Sequence, residues 1–232
     1  MNNCLILDGK EVAQASIENL LVRVKKLRNF GRAPKLVAIL VGDDPASTTY
    51  VNMKERACHT LGIETEIKRL SKDANTTELQ QIINDLNNDK TVDGILLQHP
   101  VPKQIDEIKC FNTISLEKDV DGVTTEGYGN MAMGLNAFGS CTPLGIMRIL
   151  NHYKINLEGT NALVIGRSQI LGKPMAAMLL NANATVTIAH SKTNNLKSSL
   201  KGFDLVVVAV GMPNFVSAKD LKVGSILIDA GY

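Results

Sequence analysis

The chain has no tryptophan, and Phe, Tyr and Trp together make up only 4% of its 232 residues. That is too little for the aromatic platforms on which proteins stack single-stranded nucleic acid. It has little excess charge of either sign. Its 25 Lys and Arg stand against 23 Asp and Glu, a net of +2, which argues against a nucleic-acid partner held by bulk charge. No apolar run approaches the roughly 18 residues of a membrane span, so no membrane partner is indicated. Met1-Asn2-Asn3-Cys4 lacks the basic-then-apolar order of a signal peptide. The four cysteines, Cys4, Cys58, Cys110 and Cys141, lie far apart and form no C-x-x-C pair. They fit a reducing cytoplasm better than a disulfide framework or a zinc site. No internal repeat or low-complexity tract is visible. What remains is a 44% apolar chain, long enough for one large domain or two small ones.

The apolar pattern alternates between helix and strand spacing. Val12, Ala15, Ile17, Leu20, Leu21, Val24 and Leu27 predict a helix over Gly9 to Asn29, which Gly31 and Pro34 end. Lys35 to Gly42 is a continuous apolar run, the mark of a parallel strand buried on both faces. A helix over Thr48 to Leu61, a strand over Glu64 to Leu70, a helix over Thr76 to Asn88 and a strand over Val92 to Gln98 follow. In the second half, Thr142-Pro143 reads as N-cap and first helical residue. Strands are expected over Asn161 to Ile165, Thr185 to Ala189, Phe203 to Val210 and Gly224 to Ala230, with a helix over Gly172 to Asn181. The glycine-rich stretch from Leu116 to Ser140 is poorly periodic and reads as a hinge. This order predicts an α/β protein: two α/β domains with mostly parallel sheets, the second Rossmann-like, and an active-site cleft between them. The expected boundary places the first domain at 1–140 and the second at 141–232.

Chemistry is suggested first by Leu163-Val164-Ile165-Gly166-Arg167-Ser168-Gln169-Ile170-Leu171-Gly172-Lys173-Pro174. This is strand, glycine turn and helix start, the order that builds a phosphate site. Its spacing is G-x-S-x-x-x-G rather than G-x-G-x-x-G. A dinucleotide site for NAD usually ends its second strand in an acid that binds the ribose 2′-OH. Here that strand runs into His190-Ser191-Lys192. With Arg167, Ser191 and Lys192 available and no carboxylate to repel a 2′-phosphate, the expected cofactor is NADP, and Ser168 lies within its phosphate turn. Gly166, Gly172, Gly211 and Pro213 shape the backbone around it. The plainer alternative is a sheet–helix turn with solvated charges.

Tyr50 and Lys54 stand one helical turn apart and share a face. A ring beside an amine suits a flat heterocycle, although an ordinary lysine amine, with a pKa of about 10.4, needs burial or neighbours to act as a base. The plainer reading is a surface lysine lying on a tyrosine. Gln98 ends a strand, where it can bond the lysine or a ligand amide. His99 reads as an exposed loop residue with no triad around it. Lys118-Asp119-Val120-Asp121-Gly122 lacks the remaining ligands of a calcium loop, and no metal is expected. A carboxylate there can accept two parallel bonds from an amidine-like N–H pair, such as a pterin's, or can simply cap its own turn.

With these motifs in this order, the chain resembles the bifunctional methylenetetrahydrofolate dehydrogenase/methenyltetrahydrofolate cyclohydrolase family. The resemblance rests on Tyr50-Val51-x-x-Lys54, Asp93-Gly94-Ile95-Leu96-Leu97-Gln98-x-Pro100-x-Pro102, Lys118-Asp119-Val120-Asp121-Gly122 and Cys141-Thr142-Pro143-x-Gly145. Gly166-Arg167-Ser168-x-x-x-Gly172-x-Pro174, His190-Ser191-Lys192-Thr193 and Ile228-Asp229-x-Gly231 complete it. It implies NADP-dependent oxidation of 5,10-methylenetetrahydrofolate, hydrolysis of the methenyl product to 10-formyltetrahydrofolate, a folate-binding first domain and a homodimer. It also implies that Lys54 is the catalytic lysine, that Gln98 positions it, that Tyr50 stacks on the folate and that Asp121 anchors the pterin. Val123-Thr124-Thr125-Glu126-Gly127 departs from the aromatic-then-His-Pro pattern common in the family. The family also runs on past Asp229-x-Gly231 through a proline- and glycine-rich loop and a final helix. On that reading a chain ending at Tyr232 stops in mid-pattern, and is expected to be less stable and less active than one carried further. The alternatives are a non-catalytic cofactor-binding or dimerising relic of the family, or another NADP oxidoreductase of the shikimate dehydrogenase type.

Overall fold

The computed structural model describes residues 4–231 and divides them into two compact units. One is Gly9–Gly127. The other comprises the described residues before Gly9 and after Gly127.

The first unit begins with α1 (Gly9–Phe30), followed by β1 (Lys35–Val41), α2 (Pro45–Leu61), β2 (Glu64–Leu70), α3 (Thr76–Asn88), β3 (Gly94–Leu97) and the short α4 (Glu107–Phe111). Its sheet is parallel, in the order β2-β1-β3. The apolar run of β1 is divided between two faces, as a period of two requires. Val37, Ile39 and Val41 join Leu79, Ile83 and Leu86 of α3. Ala38 and Leu40 meet Val51 of α2. The chain therefore leaves β1 to one side and returns on the other, which opens a crevice at the carboxyl ends of β1 and β3.

Helix α2 begins three residues earlier than the sequence pattern suggests. Asp44 caps it by accepting from the Ser47 N–H at 2.8 Å, and Pro45 occupies the first turn. Asp93 of the Asp93-Gly94-Ile95 motif is architectural. Its carboxylate accepts from Arg32 at 2.6 and 2.8 Å and from the Lys35 N–H at 2.8 Å. The Arg32 bond is the main cause that holds its pKa below the usual carboxylate value.

Lys118 is also structural. Its Nζ donates to the carbonyls of Leu86, Asn87 and Asp89 at 2.7, 2.8 and 2.7 Å. These end α3, where a cation meets the negative end of the helix dipole. Replacing Lys118 with Met leaves those carbonyls unpaired beneath an apolar chain. A loss of about 2–3 kcal/mol in unfolding free energy is expected, to be read by urea denaturation.

The second unit carries α6 (Cys141–His152), β4 (Asn161–Ile165), α7 (Gly172–Asn181), β5 (Thr185–Ala189), the single-turn α8 (Leu196–Ser199), β6 (Leu205–Val208) and β7 (Ile226–Asp229). Its sheet is parallel in the order β5-β4-β6-β7. Ala162 and Val164 pack with α6 and α7, and Leu163 and Ile165 pack with Leu200 on the opposite face. This is the doubly wound plan, with its crevice between β4 and β6.

Two local expectations are corrected. The cap of α6 is Ser140 rather than Thr142, because proline is tolerated throughout a helix's first turn and does not by itself fix the first residue. The stretch from Leu116 to Ser140 is not wholly irregular. It holds a 3-10 turn at Leu116–Lys118 and the helix α5 (Thr125–Ala132). The Thr124 hydroxyl opens α5 by accepting from the Gly127 N–H at 3.0 Å.

Candidate active site

In the first unit, parallel pairing puts the carboxyl ends of β1 and β3 side by side, and the Gln98 N–H continues the ladder to the Ile39 carbonyl at 2.9 Å. Helix α2 rises from the loop after β1 with Val51 buried on the sheet. That fixes the helix's rotation and turns Lys54 toward the crevice. Lys54 Nζ donates to Gln98 Oε1 at 3.2 Å, joining residues 44 apart in sequence. Lys54 is half-buried and Gln98 is buried. Tyr50 sits one turn earlier and is 39% exposed.

The Lys118–Gly122 turn lies against β3 through a bridge between Ile95 and Asp119. Gly94 permits this approach, since an added Cβ would meet Val120 Cγ1 at 2.7 Å. The two aspartates of this turn do different work. Asp119 is buried and accepts from the Val123 and Thr124 N–H groups at 3.1 and 2.9 Å. It is the carboxylate that caps its own turn. Asp121 is half-buried, and its charge helps hold the His99 imidazole above its usual pKa. Lys54, Gln98, His99 and Asp121 thus gather at one end of one sheet.

His99 is exposed, as expected of a loop residue, but it is paired. Its Nδ1 lies 2.8 Å from Glu107 Oε1. That hydrogen bond is the main cause of its raised pKa, with burial opposing it. Glu107 was not legible in the sequence, where it is only an acid in the first turn of a five-residue helix. Cys110, behind it, is fully buried. Burial pushes its thiol up to about 11, which makes it a poor nucleophile.

In the second unit, Gly166 follows β4 directly with φ +128°, a conformation that strongly favours glycine. Its N–H donates to the Ala189 carbonyl at 2.8 Å. Its backbone lies so near β6 that an added Cβ would meet the Ala209 carbonyl oxygen at 2.6 Å. An added Cβ at Gly172 would collide with the Gly166 carbonyl. Two glycines therefore fold the loop tightly back on the strand end. Ser168 holds the fold, its Oγ accepting from the Gly172 N–H at 3.2 Å and its carbonyl from the Lys173 N–H at 3.0 Å. Arg167, Ser168 and Gln169 are exposed. The result is a cradle open to an anion at the start of α7.

The register that pairs Ile165 with Ala189 sets Gly166 beside His190. His190 shapes the neighbouring turn. Its N–H donates to Thr193 Oγ1 at 2.9 Å, and its Nδ1 accepts from the Lys192 N–H at 3.2 Å. A neutral His190 therefore carries its proton on Nε2. Ser191 and Lys192 are exposed on this turn, next to the strand end that bears Arg167. Gly211 and Pro213 are exposed just beyond β6. A surface hollow of about 480 Å³, lined by Arg148, Ile155, Glu158 and Asn183 among others, lies at the opposite, amino-terminal end of this sheet and is not part of the cradle.

Comparison with known proteins decides the family. The model of the tetrahydrofolate dehydrogenase/cyclohydrolase catalytic domain matches residues 7–121, and that of the NAD(P)-binding domain matches residues 140–232. The chain belongs to the tetrahydrofolate dehydrogenase/cyclohydrolase family. It is 55% identical over 231 residues to the bifunctional protein FolD of Saccharophagus degradans, covering 99% of this chain and 82% of that protein. The bifunctional FolD methylenetetrahydrofolate dehydrogenase/cyclohydrolase of Campylobacter jejuni has a structure that matches with a TM-score of 0.96. It is 42% identical, with 98% of this chain and 81% of that chain covered. The Trypanosoma brucei methylenetetrahydrofolate dehydrogenase-cyclohydrolase, solved with NADP and an inhibitor, matches at a TM-score of 0.94. It is 30% identical over 100% of this chain and 80% of that one. The family's NAD(P)-binding domain falls on the glycine cradle. Its catalytic domain falls on the unit that holds Lys54 and Gln98.

Proposed function

We propose that this chain oxidises 5,10-methylenetetrahydrofolate with NADP and hydrolyses the resulting 5,10-methenyltetrahydrofolate to 10-formyltetrahydrofolate. The observation that carries this reading is the contact between Lys54 and Gln98, which places an amine at the sheet crevice one helical turn from Tyr50. Folate is assigned to the first domain, 1–140, and NADP to the second, 141–232.

In this reading Tyr50 stacks on the folate, and Asp121 accepts two parallel hydrogen bonds from the pterin's amidine-like edge. The methenyl carbon is positively charged, so a neutral amine serves better beside it than an ammonium. Lys54 takes a proton from the water that adds to this carbon and returns it to the departing ring nitrogen, while the second water proton leaves to solvent as the formyl C=O forms. Gln98 holds the amine in place through one N–H. The cofactor, when bound, supplies the hydride acceptor. Gly166, Ser168 and Gly172 cradle its diphosphate. His190 sets the turn that presents Ser191, and Gly211 and Pro213 let the nicotinamide end pass β6. The proposal extends to a cytoplasmic homodimer whose product feeds purine synthesis.

Arg167 tests the cofactor assignment. With Ser191 it flanks the 2′-phosphate position. A charge-assisted contact of this kind contributes about 1.5–3 kcal/mol, or tenfold or more in affinity. Arg167→Ala is expected to raise the Kd for NADP by that factor and to leave the Kd for NAD nearly unchanged in fluorescence titrations. Equal losses for both cofactors would make Arg167 structural and remove the basis for NADP preference.

A further inference from the structure

The contacts that begin at Lys54 continue past Gln98. Gln98 Nε2 donates to the His99 carbonyl at 2.8 Å. Glu107 Oε1 then grips the same loop twice, at the His99 ring nitrogen Nδ1 at 2.8 Å and at the Val101 N–H at 3.1 Å. We propose that Glu107, acting through His99, is a positioning residue for the lysine: it fixes the His99 carbonyl, and that carbonyl fixes which end of the Gln98 amide faces Lys54. This rests on the assignment of Lys54 to proton transfer.

The chemistry follows from the two ends of an amide. A carbonyl oxygen only accepts, so the His99 carbonyl can bond only the NH₂ end of Gln98. Oε1 is thereby turned to Lys54, and the amine donates to it. A neutral amine held this way keeps its lone pair free for a proton. With the amide reversed, the NH₂ end would face Lys54 and occupy that lone pair. Gln98 alone cannot choose between these orientations, because its two ends are nearly equal in size. The choice is made by where the His99 carbonyl stands, and that depends on an acid eight residues along the chain. Glu107 is well suited to the task. Its carboxylate is half-buried, and although burial works against the charge, His99 and the Val101 N–H bring its pKa below the usual value. It therefore stays an acceptor through the neutral range.

The test measures methenyltetrahydrofolate hydrolysis by the full chain. Glu107→Ala is expected to lower kcat about tenfold while KM changes less than about twofold, because the substrate's own contacts are intact. Glu107→Gln keeps an oxygen for both N–H donors and is expected to restore kcat to within about threefold of wild type. In a Gln98→Ala background, Glu107→Ala is expected to cost nothing further, since the amide it orients is gone. His99→Leu, which leaves the Val101 contact, is the second variant should Glu107→Ala fail to fold; it is expected to cost about threefold, again in kcat. Unchanged kcat in Glu107→Ala, or an undiminished further loss in the Gln98→Ala background, would overturn the proposal. A wild-type chain without hydrolysis would instead overturn the functional reading. The positioning is then decided by exchange of the Gln98 side-chain NH₂ protons with water. Exchange at least about threefold faster in Glu107→Ala supports it, and equal rates refute it.

Discussion

Lys54→Met is expected to abolish methenyltetrahydrofolate hydrolysis while leaving NADP affinity within about twofold of wild type. Met is similar in length and a good helix former, so the helix and the buried Val51 contact survive. What is lost is the amine and its hydrogen bond to Gln98. General acid–base groups contribute about 10²–10⁴ in rate, and at least that loss is expected. The cofactor cradle is built from residues of the other unit, so binding there should hardly respond. Hydrolysis at more than a tenth of the wild-type rate in a folded Lys54→Met protein would remove Lys54 from the mechanism.

The second large effect is expected at Gly166. Alanine there must adopt φ +128° and place its Cβ 2.6 Å from the Ala209 carbonyl oxygen. Neither backbone is free to retreat. The Gly166 N–H is bonded to the Ala189 carbonyl and the Ala209 N–H to the Ile165 carbonyl, at 2.8 and 2.7 Å. Backbone strain and overpacking together should cost roughly 2–6 kcal/mol. A fall in Tm on the order of 10 °C or more is expected, together with loss of NADP binding. Gly129 in α5 is the contrast. Nothing lies within 4 Å of a Cβ added there, so Gly129→Ala should be neutral or stabilise by up to about 1 kcal/mol. Equal melting temperatures for the two variants would mean that the Gly166 turn tolerates a side chain.

The buried strands were legible because their apolar runs were unbroken. Val37 to Val41 and Leu163 to Ile165 have apolar partners on both faces, and only a doubly covered parallel sheet asks for that. Helix starts were less legible. Asp44-Pro45 carried the true signal for α2, three residues before the position favoured by apolar spacing. At α6 the Thr142-Pro143 pair mimics a start two residues past the true cap, Ser140. Helix α5 was missed because two glycines dilute its pattern, and its cap, Thr124, gains its meaning from a contact with Gly127. The motifs of Lys54, Gln98 and Asp121 are legible in the sequence, but the Lys54–Gln98 contact is not. It depends on parallel register and on the face of α2 that Val51 buries. In the Lys118–Gly122 turn the capping reading of an aspartate falls on Asp119, and the pterin-anchoring reading of Asp121 remains the proposal. Glu107 was out of reach, since its importance lies in meeting His99 across a loop that no periodicity describes.

One measurement bears directly on the central claim, that a single chain carries both activities. The wild-type protein is given NADP and 5,10-methylenetetrahydrofolate, and NADPH, methenyltetrahydrofolate and 10-formyltetrahydrofolate are followed in the same reaction. The expected result is NADPH formation matched by 10-formyltetrahydrofolate, with the methenyl species passing through a low, transient level. No NADPH at saturating substrate, or methenyltetrahydrofolate that accumulates in step with NADPH and decays no faster than in buffer alone, would contradict it.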